Sequence, residues 1–446
     1  MFGTSGVRGP IGTEITADLA LDVGRALVTD GAETVVVGRD ARDSGRMLVK
    51  ALTAGIIECG GDVIEVGVEA TPTIAHAVVR ESADAGVVVT ASHNPAPDNG
   101  IKLWTASGRA FDEERNDRIT DIVREASFAL AAHDVNGTVS RVDDARSRHE
   151  RALRETLSPA GGRSDLDDCS VLVDLGNGVG RVTADALYAA GCDVETLNGQ
   201  RDGRFPGRPS EPTAANCETA CDVVAATGAD LGIVHDGDAD RMMAIDERGR
   251  FVSGDALLAL FARETAGDGE TVAVPVDTSL LVADALADVG AEVTYTPVGD
   301  AYVAARTEEP GVVFGGEPSG AWIWPTTTRC PDGPLAACRL VELVAERGSL
   351  AALVDDLPAY PIRRDSVRTE AKNAIVDRVE ALADAEFDDV STLDGVRVET
   401  DAGWFLVRAS GTEPLVRLTA EARSSDDADA LFETARDLVE RARDAV

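Results

Sequence analysis

Three stretches of the chain repeat one plan. One begins at Thr34 (TVVVGRDARDSGRMLVKALTAGIIECGGDVIEVG), one at Ser170 (SVLVDLGNGVGRVTADALYAAGCDVETLN) and one at Thr271 (TVAVPVDTSLLVADALADVGAEVTYTP). Each reads as a β-branched strand, a polar loop, an amphipathic helix, a glycine stop and a second strand. Gly60, Gly191 and Gly290 stand where a helix end needs a left-handed residue. A strand–helix–strand unit of this length allows only a parallel pair with a right-handed crossover. Spaced by roughly a hundred residues, the three predict similar α/β domains rather than a short-period solenoid. A chain of 446 residues is also too long for one hydrophobic core.

The C-terminal part follows another plan. WFLVRASGTEPLVRLTAEA reads as two strands around a Ser-Gly-Thr turn, followed by a helix from about Ala428 to Ala442. Polar breaks at SPAGGRSDLDD (Ser158–Asp168), DERGRFVSG (Asp246–Gly254) and LPAYPIRRD (Leu357–Asp365) divide the chain. The expected division is four domains, 1–155, 156–250, 251–362 and 363–446, three mixed α/β and a smaller α+β one.

Charge narrows the partners. There are 79 Asp and Glu against 42 Lys and Arg, a net charge of −37, and the acids are spread along the whole chain. Such self-repulsion opposes compaction unless salt screens it, and molar salt shortens the screening length to about 3 Å. A halophile's cytoplasm, that of a halophilic archaeon, fits this balance. Nucleic acid and anionic membranes, which attract basic surfaces, are excluded as partners. No run approaches the length of a membrane span, and MFGTSGVRGP has neither part of an export signal, so a cytoplasmic protein is expected. Lysine occurs only at 50, 102 and 372. The seven cysteines are scattered without paired metal-ligand spacing and read as buried free thiols.

Four loops carry chemistry-bearing residues. In TASHNPAPDNGIK (Thr90–Lys102) a serine ends the apolar run GVVV, in a turn stiffened by Pro95 and Pro97. Ser92 is expected to be exposed and held as a nucleophile, with Lys102 as acid/base or phosphate counter-charge. An ordinary turn with a capping serine is the plainer alternative. In LGIVHDGDADR (Leu231–Arg241) a buried strand runs into Asp236, Asp238 and Asp240, alternate residues able to converge on Mg²⁺ or Ca²⁺. An acidic surface run, or an aspartyl-phosphate site, uses the same residue types. An EF-hand is excluded because Arg241 stands where that loop needs glycine. FGGEPSGAWIWP (Phe314–Pro325) presents Glu317 and Ser319, a pair suited to sugar hydroxyls, or else a plain hairpin loop. RASGTEPLVR (Arg408–Arg417) combines turn N–H groups, two hydroxyls and two arginines into a phosphate site.

FGTSGVRG, TASHNPAPDNGIK, DGDADR, GEPSG and RASGTEP, in that order, resemble the motifs of the α-D-phosphohexomutase superfamily, which includes phosphoglucomutase/phosphomannomutase and phosphoglucosamine mutase. The resemblance covers the whole chain. It implies a heart-shaped protein of four domains, each contributing one loop to a central cleft. Ser92 would be the phosphoserine that donates its phosphoryl group to a hexose 1- or 6-phosphate and recovers the other phosphate from the bisphosphate. Mg²⁺ would be held by Asp236, Asp238, Asp240 and a phosphate oxygen on Ser92, with a hexose 1,6-bisphosphate as primer. Lys102 would act as acid/base, and Arg8 and His93 would lie against the phosphoserine. Arg241, Glu317 and Ser319, with Arg408, Ser410, Gly411, Thr412 and Arg417, would bind substrate. The implied partners are small hexose phosphates, and the protein is expected to be a monomer or homodimer.

FGTSGVRG and DNGIK are closer to the phosphoglucosamine mutase branch than to the glucose and mannose enzymes. Ala301, Pro318 and Ala321 depart from the family's usual basic, Met or Gln, and His residues. All three fall in the sugar-reading region. An aspartyl phosphotransferase using Asp236, or a sugar-phosphate binding protein, stands as the alternative.

Overall fold

The structure, a computed structural model, describes residues 1–3, 6–157, 166–411 and 414–445. Most of the expected linker at Ser158–Asp168, and Thr412 of the phosphate loop, lie outside the described residues.

The first sheet contains β1 (Val7–Pro10), β2 (Thr34–Arg39), β3 (Asp62–Val68), β4 (Ala85–Val89), β5 (Asp98–Thr105) and β6 (Val139–Arg141), in the order β1–β5–β4–β2–β3–β6. Its helices are α1 (Ala17–Thr29), α2 (Gly45–Glu58), α3 (Thr71–Arg80), α4 (Glu113–Glu125) and α5 (Ala145–Thr156). The second sheet, β10–β9–β7–β8, is formed by β7 (Ser170–Asp174), β8 (Asp193–Leu197), β9 (Leu231–His235) and β10 (Met242–Asp246), with α6 (Arg181–Ala189) and α7 (Glu218–Thr227). After α8 (Gly254–Thr265) come β11 (Thr271–Pro275), α9 (Leu280–Ala287), β12 (Glu292–Thr296), α10 (Asp300–Arg306) and β13 (Val312–Glu317). There β11 pairs in parallel with both β12 and β13. Next are β14 (Ala321–Ile323), α11 (Gly333–Arg347) and α12 (Leu350–Asp355). The last sheet is antiparallel, β15–β19–β18–β17–β16, from β15 (Ile362–Arg368), β16 (Val390–Ser391), β17 (Val396–Glu399), β18 (Gly403–Ala409) and β19 (Leu415–Ala422). Helices α13 (Lys372–Glu386) and α14 (Ser425–Arg443) pack on it.

The three repeated stretches become β2–α2–β3, β7–α6–β8 and β11–α9–β12, each a parallel pair. Their stop glycines have φ of 92°, 110° and 75°, where a β-carbon would be strained. Alternation along β2 sets the layers. Val35 and Val37 pack with Leu48, Leu52 and Ile56 of α2 on one face. Val36 packs with Ile74 and Val78 of α3 on the other. The final helix starts earlier than periodicity alone indicates, because Ser424 caps it by accepting from Asp427 N.

The chain divides into two compact units, Met1–Leu257 with Pro318–Val354, and Leu258–Glu317 with Asp355–Val446. Within the first unit, the segment after Pro318 returns to the second sheet. Met242 N donates to Gly320 O at 2.9 Å, and Trp322 Nε1 donates to Met242 O at 2.8 Å.

Candidate active site

The serine loop leaves the end of β4 and returns as β5, and a buried arginine holds it. Arg42 Nη1 donates to Pro95 O (2.7 Å) and Asp98 O (2.9 Å), and Nη2 donates to Ser92 O (2.8 Å) and Asn94 O (2.6 Å). Asp40 anchors Arg42 through Nε at 2.9 Å and accepts from Thr90 Oγ1 at 2.8 Å. Thr90 Oγ1 in turn accepts from Ser92 N at 2.8 Å. Four carbonyls and one amide that a turn would otherwise show to water are thus satisfied internally.

Ser92 itself is held at φ 49°, a left-handed conformation that a non-glycine residue adopts only when its surroundings over-determine it. The expectation of an exposed serine is corrected here, because Ser92 is only 1% exposed. The metal loop covers it: Ser92 Oγ donates to Asp236 Oδ2 at 2.6 Å, and Ser210 Oγ donates to Ser92 O at 3.0 Å. That approach needs a glycine, since a β-carbon on Gly237 would lie 2.9 Å from Ser92 O.

Strand β9 is buried throughout and delivers Asp236, Asp238 and Asp240, all buried. One oxygen from each lies within 4.8 Å of the others. Asp238 Oδ2 accepts from Thr71 Oγ1 (2.7 Å) and from Lys102 Nζ (3.4 Å), and Lys102 also pairs with Asp240. Asp238 Oδ1 is buried without a hydrogen-bond partner. An acceptor left bare beside two further carboxylates fits a hard divalent cation such as Mg²⁺.

The electrostatics separate the acids. Burial, then the charges of Asp238 and Asp240, push the Asp236 carboxyl well above the usual range. Burial alone would raise Asp238 too, but Lys102, Thr71 and Arg8 outweigh it and hold that carboxyl well below the usual range. His93 Nδ1 lies 3.4 Å from Ser92 Oγ. Burial, with Arg241, Arg8 and Lys102 nearby, lowers its pKa to about 2, so the ring is neutral. His235, under the metal loop, is lowered to about 4 by burial. Its Nδ1 lies 2.9 Å from Arg241 O and its Nε2 lies 2.8 Å from Thr183 Oγ1. Arg8, on β1, faces Gly100 of β5. Arg241 N donates to Asp236 Oδ1 at 3.4 Å. Ser92, His93, Lys102, Arg8, the three aspartates and Arg241 therefore share the first unit.

Four family-model matches cover nearly the whole chain. They are phosphoglucomutase/phosphomannomutase α/β/α domains I, II and III, at residues 1–130, 155–249 and 253–360, and the C-terminal domain at residues 366–438. The chain belongs to the phosphoglucomutase/phosphomannomutase family. A relative from Methanothermobacter thermautotrophicus, called a probable phosphoglucosamine mutase, is 45% identical across 99% of this chain and 98% of its own. One from Methanococcoides burtonii, under the same name, is 43% identical across 99% of each. Among solved structures, a phosphoglucomutase/phosphomannomutase family protein from Burkholderia thailandensis superposes with a TM-score of 0.87. It is 28% identical, over 99% of this chain and 98% of its own. The chain is accordingly a phosphohexomutase, an isomerase that works by phosphotransfer.

The remaining sites read from this phosphohexomutase's sequence lie elsewhere. Ser319 is exposed in the first unit. In the second unit, Glu317 is buried at the end of β13 and accepts from Gly299 N at 2.7 Å. Arg408 of β18 lies directly opposite Arg417 of β19, and Arg408 Nη1 meets Asp394 Oδ2 at 3.1 Å. Like charges paired across strands cost stability unless an anion lies between or near them. Ser410 N donates to Leu415 O at 2.9 Å, Lys372 donates to Ser410 O, and Gly411 is exposed.

Sequence reading missed the residues that hold the loops: Asp40, Thr90 and Arg42 for the serine, Thr71 for Asp238, and Arg208. Arg208 spans Asp174 (2.6 Å) and His235 O (2.6 Å) at the base of the metal loop. The signal available was Arg-Asp-x-Arg immediately after an apolar strand, where a solvated loop was the plainer reading.

Proposed function

We propose that this phosphohexomutase is a phosphoglucosamine mutase, interconverting glucosamine 6-phosphate and glucosamine 1-phosphate through a phosphoserine at Ser92. The observation that carries the mechanism is Ser92 Oγ, buried 2.6 Å from Asp236 and beside two further carboxylates and Lys102. The sugar assignment is supported by the FGTSGVRG and DNGIK motifs and by the two relatives named above, 45% and 43% identical.

In the forward half-reaction the P–O bond to Ser92 breaks as a new P–O bond forms to a sugar hydroxyl. The hydroxyl proton leaves for a base, and Ser92 Oγ takes up a proton. Lys102 Nζ is the group we assign to hold and move that proton. Arg8 and Arg241 supply positive charge to the serine phosphate, and neutral His93 is a hydrogen-bonding partner for it. Asp236, Asp238 and Asp240 would hold Mg²⁺, which when bound neutralises phosphoryl oxygens. Glu317 and Ser319 would orient the sugar hydroxyls. Arg408, Ser410, Gly411, Thr412 and Arg417 would hold the phosphate that is not reacting. Separate sites for the two phosphates let a 1,6-bisphosphate present either end, and the same bisphosphate would prime the serine.

The division at 1–155, 156–250, 251–362 and 363–446 is our proposed assignment of one loop per domain. Small hexose phosphates are the partners, and the molecule would act as a monomer or homodimer. A salt-rich cytoplasm is where a net charge of −37 is best tolerated.

The test is a substrate panel of glucosamine, glucose and mannose phosphates, at molar KCl with Mg²⁺ and a bisphosphate primer. Glucosamine 6-phosphate should lead in kcat/KM by at least about tenfold, a margin of 1.4 kcal/mol. A lead for glucose or mannose phosphate would reverse the sugar assignment. Turnover that survives in Ser92→Ala, with hydroxylamine-labile label on Asp236, would sink the phosphoserine.

A further inference from the structure

Away from the reactive serine, the first sheet changes direction. Strand β2 leads into α2 on one face, and its parallel neighbour β3 leads into α3 on the other, as the two separate apolar layers show. Adjacent strands whose outgoing loops part to opposite faces leave a crevice at their carboxyl ends, and such crevices bind ligands in open α/β sheets. The β2–β3 register shifts at Val37/Gly38 just before that point, and Gly67 follows at φ 82°. A cavity of about 500 Å³ lies there.

Its lining inverts the composition of the chain. Arg39, Arg46, Lys50, Arg141, Arg146 and Arg201 face three carboxylates, Glu65, Glu69 and Asp143, in a protein with nearly twice as many acids as bases. Two of the cations are matched: Arg146 to Glu69 at 3.0 Å and Arg141 to Asp143 at 2.5 Å. The other four have no carboxylate within 4.0 Å among the described residues. Arg39 Nη1 and Arg201 Nη1 donate instead to backbone carbonyls, of Asp40 at 3.0 Å and Val68 at 3.0 Å.

Local electrostatics oppose this arrangement. Arg46 and Lys50 sit one turn apart on α2, where like charges repel. Arg46 also occupies the first turn, at the positive end of the helix dipole, with no acid there to offset it. Lys50 is one of only three lysines. Burial lowers the Arg39 pKa, and Arg201 and Arg46 lower it further while Asp40 opposes them. Cations gathered at such a cost, in a crevice of this kind, call for an anion.

We propose that this crevice is a further anion site, distinct from the catalytic phosphate sites, that takes a small phosphate-bearing metabolite. Dianionic phosphoryl oxygens would be received by Arg39, Arg46, Lys50 and Arg201, and the valines of β2 and β3 would face the remainder. The site abuts the catalytic scaffold through the chain itself. Arg39 precedes Asp40, and two residues separate it from Arg42, which carries the Ser92 loop.

The experiment is calorimetric titration of the full chain at one fixed KCl concentration. Inorganic phosphate, 3-phosphoglycerate and AMP serve as probes, and the last two show whether a carboxylate or a nucleoside is preferred. Wild type should bind phosphate in the crevice in addition to the catalytic phosphate sites. Arg46→Ala/Lys50→Ala, both exposed positions, should weaken one equivalent at least tenfold and leave mutase kcat and KM unchanged. Arg417→Ala should leave that equivalent intact. Identical isotherms for wild type and the double variant, or loss of the same equivalent in Arg417→Ala, would overturn the crevice site whatever sugar the enzyme prefers.

Discussion

The Ser92 and aspartate loops of the first unit and the Arg408–Arg417 turn of the second unit both present groups suited to phosphate, yet they are built in opposite ways. The first two are buried and braced from beneath: Arg42 carries four carbonyls of the serine loop, and Arg208 bridges Asp174 and His235 beneath the metal loop. Each also holds a non-glycine residue in the left-handed region, Ser92 at 49° and Ala239 at 58°. Between β18 and β19, Gly411 is exposed, and the two strands set Arg408 opposite Arg417. Chemistry that breaks a P–O bond needs reacting atoms fixed to a fraction of an ångström. Holding a spectator phosphate needs charge, which acts over longer distances and tolerates a looser frame. The difference teaches where this chain invests rigidity.

Four perturbations would break or sharpen that contrast. The largest effect is expected from Ser92→Ala, which removes the proposed phosphoryl carrier. Turnover should fall by about 10⁴-fold or more, with the far-ultraviolet circular dichroism unchanged; activity within about tenfold of wild type would move the chemistry elsewhere.

Arg42→Met comes next. It strands the buried Asp40 carboxylate and frees four carbonyls, a loss of about 3–5 kcal/mol for a broken buried pair. Denaturant unfolding reads the loss, and Arg42→Met/Asp40→Leu should recover part of it, since the uncompensated charge goes too. An unchanged midpoint would show that the serine loop does not depend on this scaffold.

Acid should then distinguish the units. All five histidines fall in the first unit, and His76 and His235 are both lowered to about 4, chiefly by burial, with His149 adding to the effect at His76. Folded values below the ordinary 6.5 mean that the unfolded chain binds more protons between pH 6.5 and 4. Stability is therefore complete above 6.5 and falls as pH drops toward 4, by at most about 3 kcal/mol for His76 alone. Hydrogen exchange between pH 6.5 and 5 should loosen the first unit before the second; loosening of the second unit first would contradict this assignment.

The smallest effect is expected from Arg417→Ala. It removes one charge from an exposed site, so KM should rise about tenfold while kcat and the unfolding midpoint change little. A kcat loss equal to the rise in KM would mean that the turn positions the reacting end as well.

The legibility of the molecule follows the range of the interactions involved. Period-two and helical patterns, with glycines at 60, 191 and 290, are local signals, and they identified the three parallel units from their own residues. The four loop motifs were equally plain, because Ser-His-Asn-Pro, alternate aspartates and Ser-Gly-Thr-Glu-Pro are contiguous. What could not be read was the burial of Ser92. Its cover comes from Asp236, Ser210 and Gly237, more than a hundred residues away in sequence. Arg42 was equally silent, since an arginine in a polar loop is ordinary until four carbonyls converge on it.

The sequence by itself determined the α/β repeat, the strand–turn–strand and helix near the C-terminus, the acidic balance and which loops carry the candidate side chains. Each of these depends on neighbours along the chain or on composition alone. Only the tertiary structure decided which charges meet. It set Lys102 against Asp238 and Asp240, Arg408 opposite Arg417, and six cations with three carboxylates around the β2–β3 crevice. Electrostatic free energy depends on distance and burial, and those are set only once strands from distant parts of the chain lie side by side.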